Sequence, residues 1–378
     1  METKKTVYWF TALVLIITLF NAAPAAAAPE MGAAQPAFHA QSGNFSEPAA
    51  FDISPALSEL VSAASSARSA ASASEDVLEI RPDRGVIPQD NGFSGDGAVQ
   101  QEASKAESQQ LDSQSQDRGF SGHHPTIPSP AVNFEGLSNQ DNFDVFGFRV
   151  NPPDPVGDVG KHHYVEMVNL VFAVYSKTGD LLLGPVDTGT LWAGFPIEDC
   201  TDPSGDPIVL YDQFADRWIL TQFTTRGLDD PTLPFYNCVA ISQTGDPTGA
   251  YYRYAFTTGF NFPDYPKYGV WRDTYIITTR EFGPTTEYGI GVYGLERDRM
   301  IAGDPGARMV GFFLDGNDPA ILPLVGDGLL PPDTDGREKS SKGAPAPIVG
   351  TQDDDADYGS TSDAINIWEF NVKWRSTP

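Results

Sequence analysis

Short runs of alternating apolar and polar residues, separated by turn residues, fill the chain from about residue 155 to its end. The stretch 162–186 predicts two or three strands, and 205–227 predicts a hairpin that turns at 214–217. In the final run, Trp368 and Phe370 lie on one face of a strand, so other elements must cover that face. These strand pairs, with almost no convincing helix among them, favour an all-β fold.

Acidic turns recur along the same region. Asp154, Asp206 and Asp264 each open a strand-like run, and they are 52 and then 58 residues apart. A period of this size predicts β-propeller-like repeats of antiparallel sheets, in which each sheet buries its faces against its neighbours.

Aromatic residues mark where the core can form. Residues 134–378 hold 34 of the 43 aromatic residues, whereas 29–133 hold five. We therefore predict one compact domain over 134–378, because large apolar side chains are needed to offset chain entropy. Residues 28–133 are rich in Ala, Ser, Gln, Gly and Asp, and they predict a disordered low-complexity linker. A weak, exposed helix over Pro55–Ile80 is the one element predicted there.

The first 27 residues have the pattern of a signal peptide. Lys4 and Lys5 precede an apolar run from Val7 to Phe20, and small residues follow up to a cleavage point after Ala27. That run is short for the ~20 residues of a membrane-spanning helix, which makes a transmembrane anchor the weaker interpretation. We expect an exported protein that is secreted, periplasmic or bound to the cell surface, without membrane insertion after cleavage.

The net charge limits the classes of partner that the protein can bind, and the two cysteines indicate a disulfide. The net charge is −27, of which −19 lies in residues 134–378, so nucleic acid and anionic membranes are disfavoured. Divalent cations suit such a domain better, although the acidity can equally serve solubility alone. Cys200 and Cys238 are the only cysteines, and in an exported chain they predict a disulfide that stabilises by roughly 3–4 kcal/mol.

Five segments together carry a resemblance. They are PPDPVGDVGKHHYVEMVN (152–169), DPIVLYDQFADRWILTQF (206–223), CVAISQTGDPTGAYYRYAF (238–256), FPDYPKYGVW (262–271) and INIWEFNVKW (365–374). The combination resembles an uncharacterised family of exported bacterial proteins that are similar to β-propellers. The resemblance implies either a small propeller of four or five blades or part of a larger one.

Two acidic groups are candidates for a site. The first strands of propeller blades line the central axis, so Asp154, Asp206, Asp264 and Asp333 are predicted to face one ligand-binding funnel. Converging carboxylates need a cation or raised pKa values to relieve their repulsion. The alternative interpretation is that these residues cap turns by accepting backbone hydrogen bonds.

The second group lies in a late acidic loop. Asp353, Asp355 and Asp357 alternate as at the start of a calcium loop, which makes them tentative calcium ligands. Tyr358 and Ala364 stand where an EF-hand requires Gly and Glu, so the EF-hand itself is excluded. A solvated hairpin tip is the competing interpretation.

Catalytic motifs are few. His162 and His163 are adjacent and are predicted to face opposite sides of a strand, and no nucleophile, zinc-protease or phosphate-loop motif occurs. Asp212 and Trp218 resemble the acid and the tryptophan of the sialidase repeat, Ser-x-Asp-x-Gly-x-x-Trp, but the Gly spacing differs. Asp212 is therefore interpreted as a turn residue and Trp218 as a core residue. We therefore expect a monomeric binding module for a glycan or an extracellular protein. The alternative is a carbohydrate-active hydrolase that uses funnel carboxylates.

Overall fold

The computed structural model describes residues 43–67 and 129–374, except 285, 337, 355 and 357, together with the backbone of two strands at 16–20 and 77–79. The strands are β1 (Ile16–Phe20), β2 (Asn44–Ser46), β3 (Ala50–Ile53), β4 (Val77–Glu79), β5 (Arg149–Asn151), β6 (Pro155–Val159), β7 (His163–Val168), β8 (Val171–Ser176), β9 (Leu181–Asp187), β10 (Ile208–Asp212), β11 (Arg217–Phe223), β12 (Phe235–Ser242), β13 (Tyr251–Gly259), β14 (Phe262–Val270), β15 (Thr274–Phe282), β16 (Gly289–Glu296), β17 (Met309–Asp315), β18 (Leu329–Leu330), β19 (Ala346–Gln352) and β20 (Ala364–Phe370). The helices are α1 (Leu57–Ala67), α2 (Asn139–Phe146), α3 (Arg297–Ile301) and α4 (Leu322–Val325), with 3-10 turns at Thr188–Trp192, Glu198–Thr201 and Arg226–Leu228.

Four antiparallel sheets follow one another along the chain. Sheet 1 has the order β6-β7-β8-β9, and sheet 2 has the order β10-β11-β12-β13-β3. Sheet 3 has the order β14-β15-β16-β17-β2, and sheet 4 has the order β18-β19-β20 with β1 at its outer edge. We call β6, β10, β14 and β18 the leading strands. The predicted all-β class and the repeated antiparallel sheets are confirmed.

Each pair of consecutive sheets encloses a hydrophobic core. Trp218 is fully buried between sheets 1 and 2, where it packs in one cluster with Phe172. Tyr275 belongs to the cluster between sheets 2 and 3, and Trp368 to the cluster between sheets 3 and 4. Burying one large apolar side chain contributes roughly 1.5–3 kcal/mol, so these clusters fix the order in which the sheets stack.

The predicted disulfide is confirmed. Cys200 and Cys238 are bonded, with their Cα atoms 6.0 Å apart, and both are fully buried in the cluster between sheets 1 and 2. Gln222 Nε2 donates a hydrogen bond of 2.5 Å to the Cys200 carbonyl oxygen, which fastens the loop before β10 to the middle of sheet 2.

Residues 43–67 are structured, unlike the linker predicted over 28–133, and we call them the N-terminal strap. β2 pairs with β17 at the edge of sheet 3, and β3 pairs with β13 at the edge of sheet 2. Arg253, 2% exposed, donates from Nε to Asp52 Oδ1 at 2.7 Å. The weak, exposed helix predicted over Pro55–Ile80 is shorter in the structure, where α1 covers Leu57–Ala67 and β4 covers Val77–Glu79. The first residue of α1, Leu57, is fully buried. Composition concealed the strap because its strands are short and depend on edges more than 190 residues away.

The predicted signal peptide lies outside the described residues, apart from the backbone of β1, which pairs with β20. Among the described helices, none has the length and apolar character needed to cross a bilayer. The start of the predicted domain is marked by α2, where Ser138 and Asp141 form a capping box.

Candidate functional site

One residue in an unusual backbone conformation lies just before β6, another just before β10, and a third inside β14. Asp154, Asp206 and Tyr265 have positive φ angles of 40°, 43° and 48°, and each immediately precedes a proline. Positive φ is uncommon for residues other than glycine, and a following proline restricts the backbone further. Sheets 1 and 2 therefore share one constrained turn just before their leading strands, and sheet 3 has the same backbone conformation where the register of β14 against β15 shifts, between Asp264 and Lys267.

This turn brings the first three predicted acids together. Burial, followed by the negative charges of Asp264 and Asp154, raises the pKa of Asp206 well above its ordinary value. The positive charge of Lys267 acts in the opposite direction, and the Tyr265 backbone N–H donates to Asp206 Oδ2 at 3.2 Å. Asp206 is half-buried, and burial is the largest cause of its raised pKa. The raised pKa favours the protonated form of this carboxyl group.

A buried asparagine supports the first of these acids. Asn169 is fully buried, and its Nδ2 donates to Asp154 Oδ2 at 2.9 Å and to the Pro152 carbonyl oxygen at 2.7 Å. Asn169 itself has a positive φ of 47° in the turn between β7 and β8. The Asp154 carboxylate is thus oriented by sheet 1 toward the start of sheet 2.

Tyr265 connects the acids to two cations. Lys267 Nζ lies 3.4 Å from the centre of the Tyr265 ring, and the Arg280 guanidinium lies 4.2 Å from it. Arg280 is 4% exposed and pairs with Asp327, with 2.6 Å between Nη2 and Oδ2. Tyr358 donates from its hydroxyl to the other Asp327 oxygen at 2.6 Å.

A cavity of about 230 Å³ opens beside these cations, between the leading strands of sheets 3 and 4. Its walls include Tyr265, Lys267, Arg280, Asp327 and Leu330. Tyr265 and Lys267 connect this cavity to Asp206, because the Tyr265 N–H donates to Asp206 and the Lys267 charge acts on it. We call the cavity together with Asp154, Asp206 and Asp264 the leading-strand site. Such a site can bind a molecule rich in hydroxyl groups, because each hydroxyl both donates and accepts.

Asp333, the fourth predicted funnel residue, lies elsewhere. Its Oδ1 accepts the Val270 backbone N–H at 2.8 Å, and its pKa is raised by burial and then by Asp335 and Asp158. Asp158 is near the end of β6, four residues beyond Asp154, and accepts the Tyr211 N–H at 2.6 Å. The structure thus groups Asp333 with acids at the opposite end of the leading strands.

The late acidic loop is only partly described, because Asp355 and Asp357 lie outside the described residues. Asp353 is exposed and forms a group with Asp354 and Asp363, whose carboxylate oxygens lie within 4.8 Å of one another. Asp363 was not among the predicted ligands, since it stands ten residues after Asp353 across the turn.

The structure also shows the roles of Asp212 and Trp218. Trp218 is fully buried, and Asp212 Oδ1 accepts the backbone N–H groups of Phe214 and Ala215 at 3.1 Å each. The interpretation as a core residue and a turn residue is therefore confirmed. Tyr265, Lys267, Arg280 and Asp327 were missed, although the Tyr-Pro pair at 265–266 repeats the position of the two Asp-Pro pairs.

Comparisons of the chain with protein-family models, curated proteins and solved structures found no match.

Proposed function

We propose that the protein is an exported or surface-associated binding module with a β-propeller-like arrangement, in which the four sheets act as blades. It works as a monomer outside the cytoplasm and belongs to the family that its sequence resembles. The disulfide is compatible with an extracellular protein.

The observation that carries the proposal is the convergence of Asp154, Asp206 and Asp264 beside Lys267. These residues lie just before or near the first residues of three different leading strands, and propellers bind ligands beside strands in this position. Both signs of charge are present, so a neutral ligand with many hydroxyl groups matches the site better than an ion of one sign. A glycan is the ligand class we propose.

The experiment uses the mature protein from Ala28 onward on a glycan array, followed by calorimetric titration of the bound glycans. Asp206→Asn should weaken binding about two- to tenfold, because the amide replaces one carboxyl oxygen by a donor and a hydrogen bond between neutral groups contributes roughly 0.5–1.5 kcal/mol. Asp353→Asn, an exposed acid in the late loop, is the matched control and should bind as the wild type does. Binding that is unaffected by Asp206→Asn would place the ligand elsewhere.

A second function, glycoside hydrolysis, is favoured by the raised pKa of Asp206 beside other carboxylates. In that chemistry, the Asp206 carboxylic acid gives its proton to the glycosidic oxygen as the carbon–oxygen bond breaks. Asp154 or Asp264 would take a proton from the water that attacks the sugar carbon. Incubating array-positive glycans with the protein distinguishes the two functions, because a binding module releases no reducing ends.

A further inference from the structure

A second cavity is lined by residues that do not line the cavity of the leading-strand site. The chain at 132–136 crosses the outer face of sheet 1 and leaves a cavity of about 440 Å³ beneath it, which we call the side cavity. Its walls include Val132, Phe134, Val159, Tyr164, Glu166 and Lys177.

Aromatic packing and one hydrogen bond hold the crossing segment in place. The Phe134 ring lies 6.0 Å from the Tyr164 ring and 5.5 Å from the Tyr175 ring. The Leu137 N–H donates to Glu166 Oε2 at 2.7 Å. Gly136 permits this approach, because a Cβ there would lie 1.9 Å from the same oxygen. The side cavity is therefore built by specific contacts and has a defined shape.

The apolar wall of the side cavity is open to solvent. Val132 is 49% exposed and Val159 is 53% exposed, although both line the cavity. Two branched apolar side chains beside an aromatic ring can cover an apolar group of a ligand, and a volume in this range suits a small molecule.

The side cavity also contains one acid and one base that do not pair with each other. Within the described part of the chain, neither Glu166 nor Lys177 forms an ion pair within 4.0 Å. Lys177 Nζ donates one hydrogen bond, of 3.0 Å, to the Gly160 carbonyl oxygen, and an ammonium group has three donors. Burial raises the pKa of Glu166, which reflects the solvent that its carboxylate has lost.

We propose that the side cavity binds a small zwitterion with an apolar body, namely an amino acid or dipeptide with apolar side chains. The ligand ammonium group pairs with Glu166, and the ligand carboxylate pairs with Lys177. The apolar body covers Val132, Val159 and Phe134. A ligand with both charges pairs with both groups at once, whereas a ligand with one charge leaves one of them without a charged partner. The missing partner matters more at the half-buried Glu166 than at the exposed Lys177, whose ammonium stays in water.

Four probes test the proposal by calorimetric titration of the mature protein. They are L-phenylalanine, L-leucyl-L-leucine, phenethylamine, which carries only the amine, and 3-phenylpropanoate, which carries only the carboxylate. At least one zwitterion should bind about tenfold more tightly than the carboxylate probe, which lacks the ammonium partner of the half-buried Glu166. It should bind severalfold more tightly than the amine probe, because a pair with the exposed Lys177 contributes no more than about 1 kcal/mol. The stronger zwitterion shows whether an amino acid or a dipeptide fits.

Variants assign each charge. Glu166→Gln should weaken the zwitterion and the amine probe, while Lys177→Met should weaken the zwitterion and the carboxylate probe. Glu135→Gln and Lys161→Met are matched controls. Glu135 precedes Gly136 and Lys161 is two residues after Val159, and neither Glu135 nor Lys161 lines the side cavity. Val132→Trp should fill the cavity and abolish binding without removing a charge, which keeps the test decisive if Glu166→Gln fails to fold.

The outcome is independent of the glycan proposal. Asp206→Asn should leave binding of the zwitterion unchanged. Failure of all four probes to bind at millimolar concentration would overturn the proposal. Equal binding by the wild type and by the Lys177→Met and Val132→Trp variants would also overturn it.

Discussion

Arg297 holds Asp212 through two charge-assisted hydrogen bonds across the boundary between sheets 2 and 3. Arg297 Nε donates to Asp212 Oδ2 at 2.6 Å, and Nη2 donates to Oδ1 at 3.0 Å. The side chain of Asp212 has no exposed surface, and that of Arg297 is 8% exposed. The Tyr275 hydroxyl donates to the same carboxylate at 2.9 Å. One buried acid thus joins the end of β10 to β15 and α3.

Removing the arginine should therefore destabilise the fold strongly. Arg297→Ala leaves Asp212 charged and buried, and breaking a buried pair in this way costs about 3–5 kcal/mol. The measurement is urea unfolding followed by tryptophan fluorescence. Arg299→Ala is the matched control. Arg299 pairs with Asp304 and Glu296, but its own side chain is 38% exposed, and an exposed pair contributes no more than about 1 kcal/mol. Similar losses in the two variants would contradict the assignment.

The buried acid Glu281 should make the free energy of unfolding depend on pH. It is 1% exposed, accepts hydrogen bonds from Tyr293, Asn261 and Thr279, and burial raises its pKa to about 7. The folded state therefore binds this proton more tightly than the unfolded state does, and the stabilisation is complete below pH 4.5 and lost as the pH rises toward 7. A shift of this size corresponds to an order of 3 kcal/mol.

Urea unfolding of the wild type and of Glu281→Gln between pH 5 and 8 checks this. The free energy of unfolding of the wild type should fall relative to that of the variant across this range. Glu287→Gln, which changes an exposed acid nearby, should follow the wild type. Parallel curves for the wild type and Glu281→Gln would show that Glu281 titrates normally.

The N-terminal strap should remain attached after the chain is cut. Limited proteolysis between residues 68 and 128, where the sequence predicts a low-complexity linker, should yield a fragment containing 43–67 that elutes with the domain during gel filtration. Asp52→Ala should release this fragment more readily, because Arg253 loses its carboxylate partner and is nearly buried. Glu47→Ala is the control. Immediate loss of the wild-type fragment would show that the strap is not held.

Calcium binding by the late loop remains a separate prediction. If Asp353, Asp354 and Asp363 hold Ca²⁺, calcium at 100 times its Kd should stabilise the protein by about 2.7 kcal/mol and raise its Tm. NaCl at equal ionic strength controls for screening of the net negative charge. A shift that is specific to calcium should disappear in Asp363→Asn and persist in Asp206→Asn. Equal shifts with both salts would exclude a specific site.

The local strand pattern could be predicted from the sequence, whereas contacts between residues far apart in the chain could not. The strands, the disulfide and the recurrence of Asp154, Asp206 and Asp264 are visible as alternation, composition and spacing. Arg297 could not be assigned to Asp212, because the two residues are 85 positions apart and meet only when sheets 2 and 3 stack. The strap was missed for the same physical reason, since the pairing of β2 and β3 depends on edges that other sheets provide.

Asp333 shows the limit of arguing from repeats alone. Its Pro-Pro-Asp context resembles that of Asp154, yet it follows the two-residue strand β18, whereas Asp154 precedes its strand. A position after the leading strand is at the other end of the sheet, beside Asp158. The direction of the strand, which spacing does not reveal, decides which acids converge.

Glycan binding by the leading-strand site through Asp206 is tested most directly by comparing Asp206→Asn with the wild type in both binding and stability at pH 7. Because its raised pKa makes ionised Asp206 unfavourable for folding at this pH, the amide should give a Tm equal to or higher than that of the wild type. The same variant should bind array-positive glycans about two- to tenfold more weakly. We expect weaker binding together with an undiminished Tm. Unchanged glycan binding by a folded Asp206→Asn variant would contradict it.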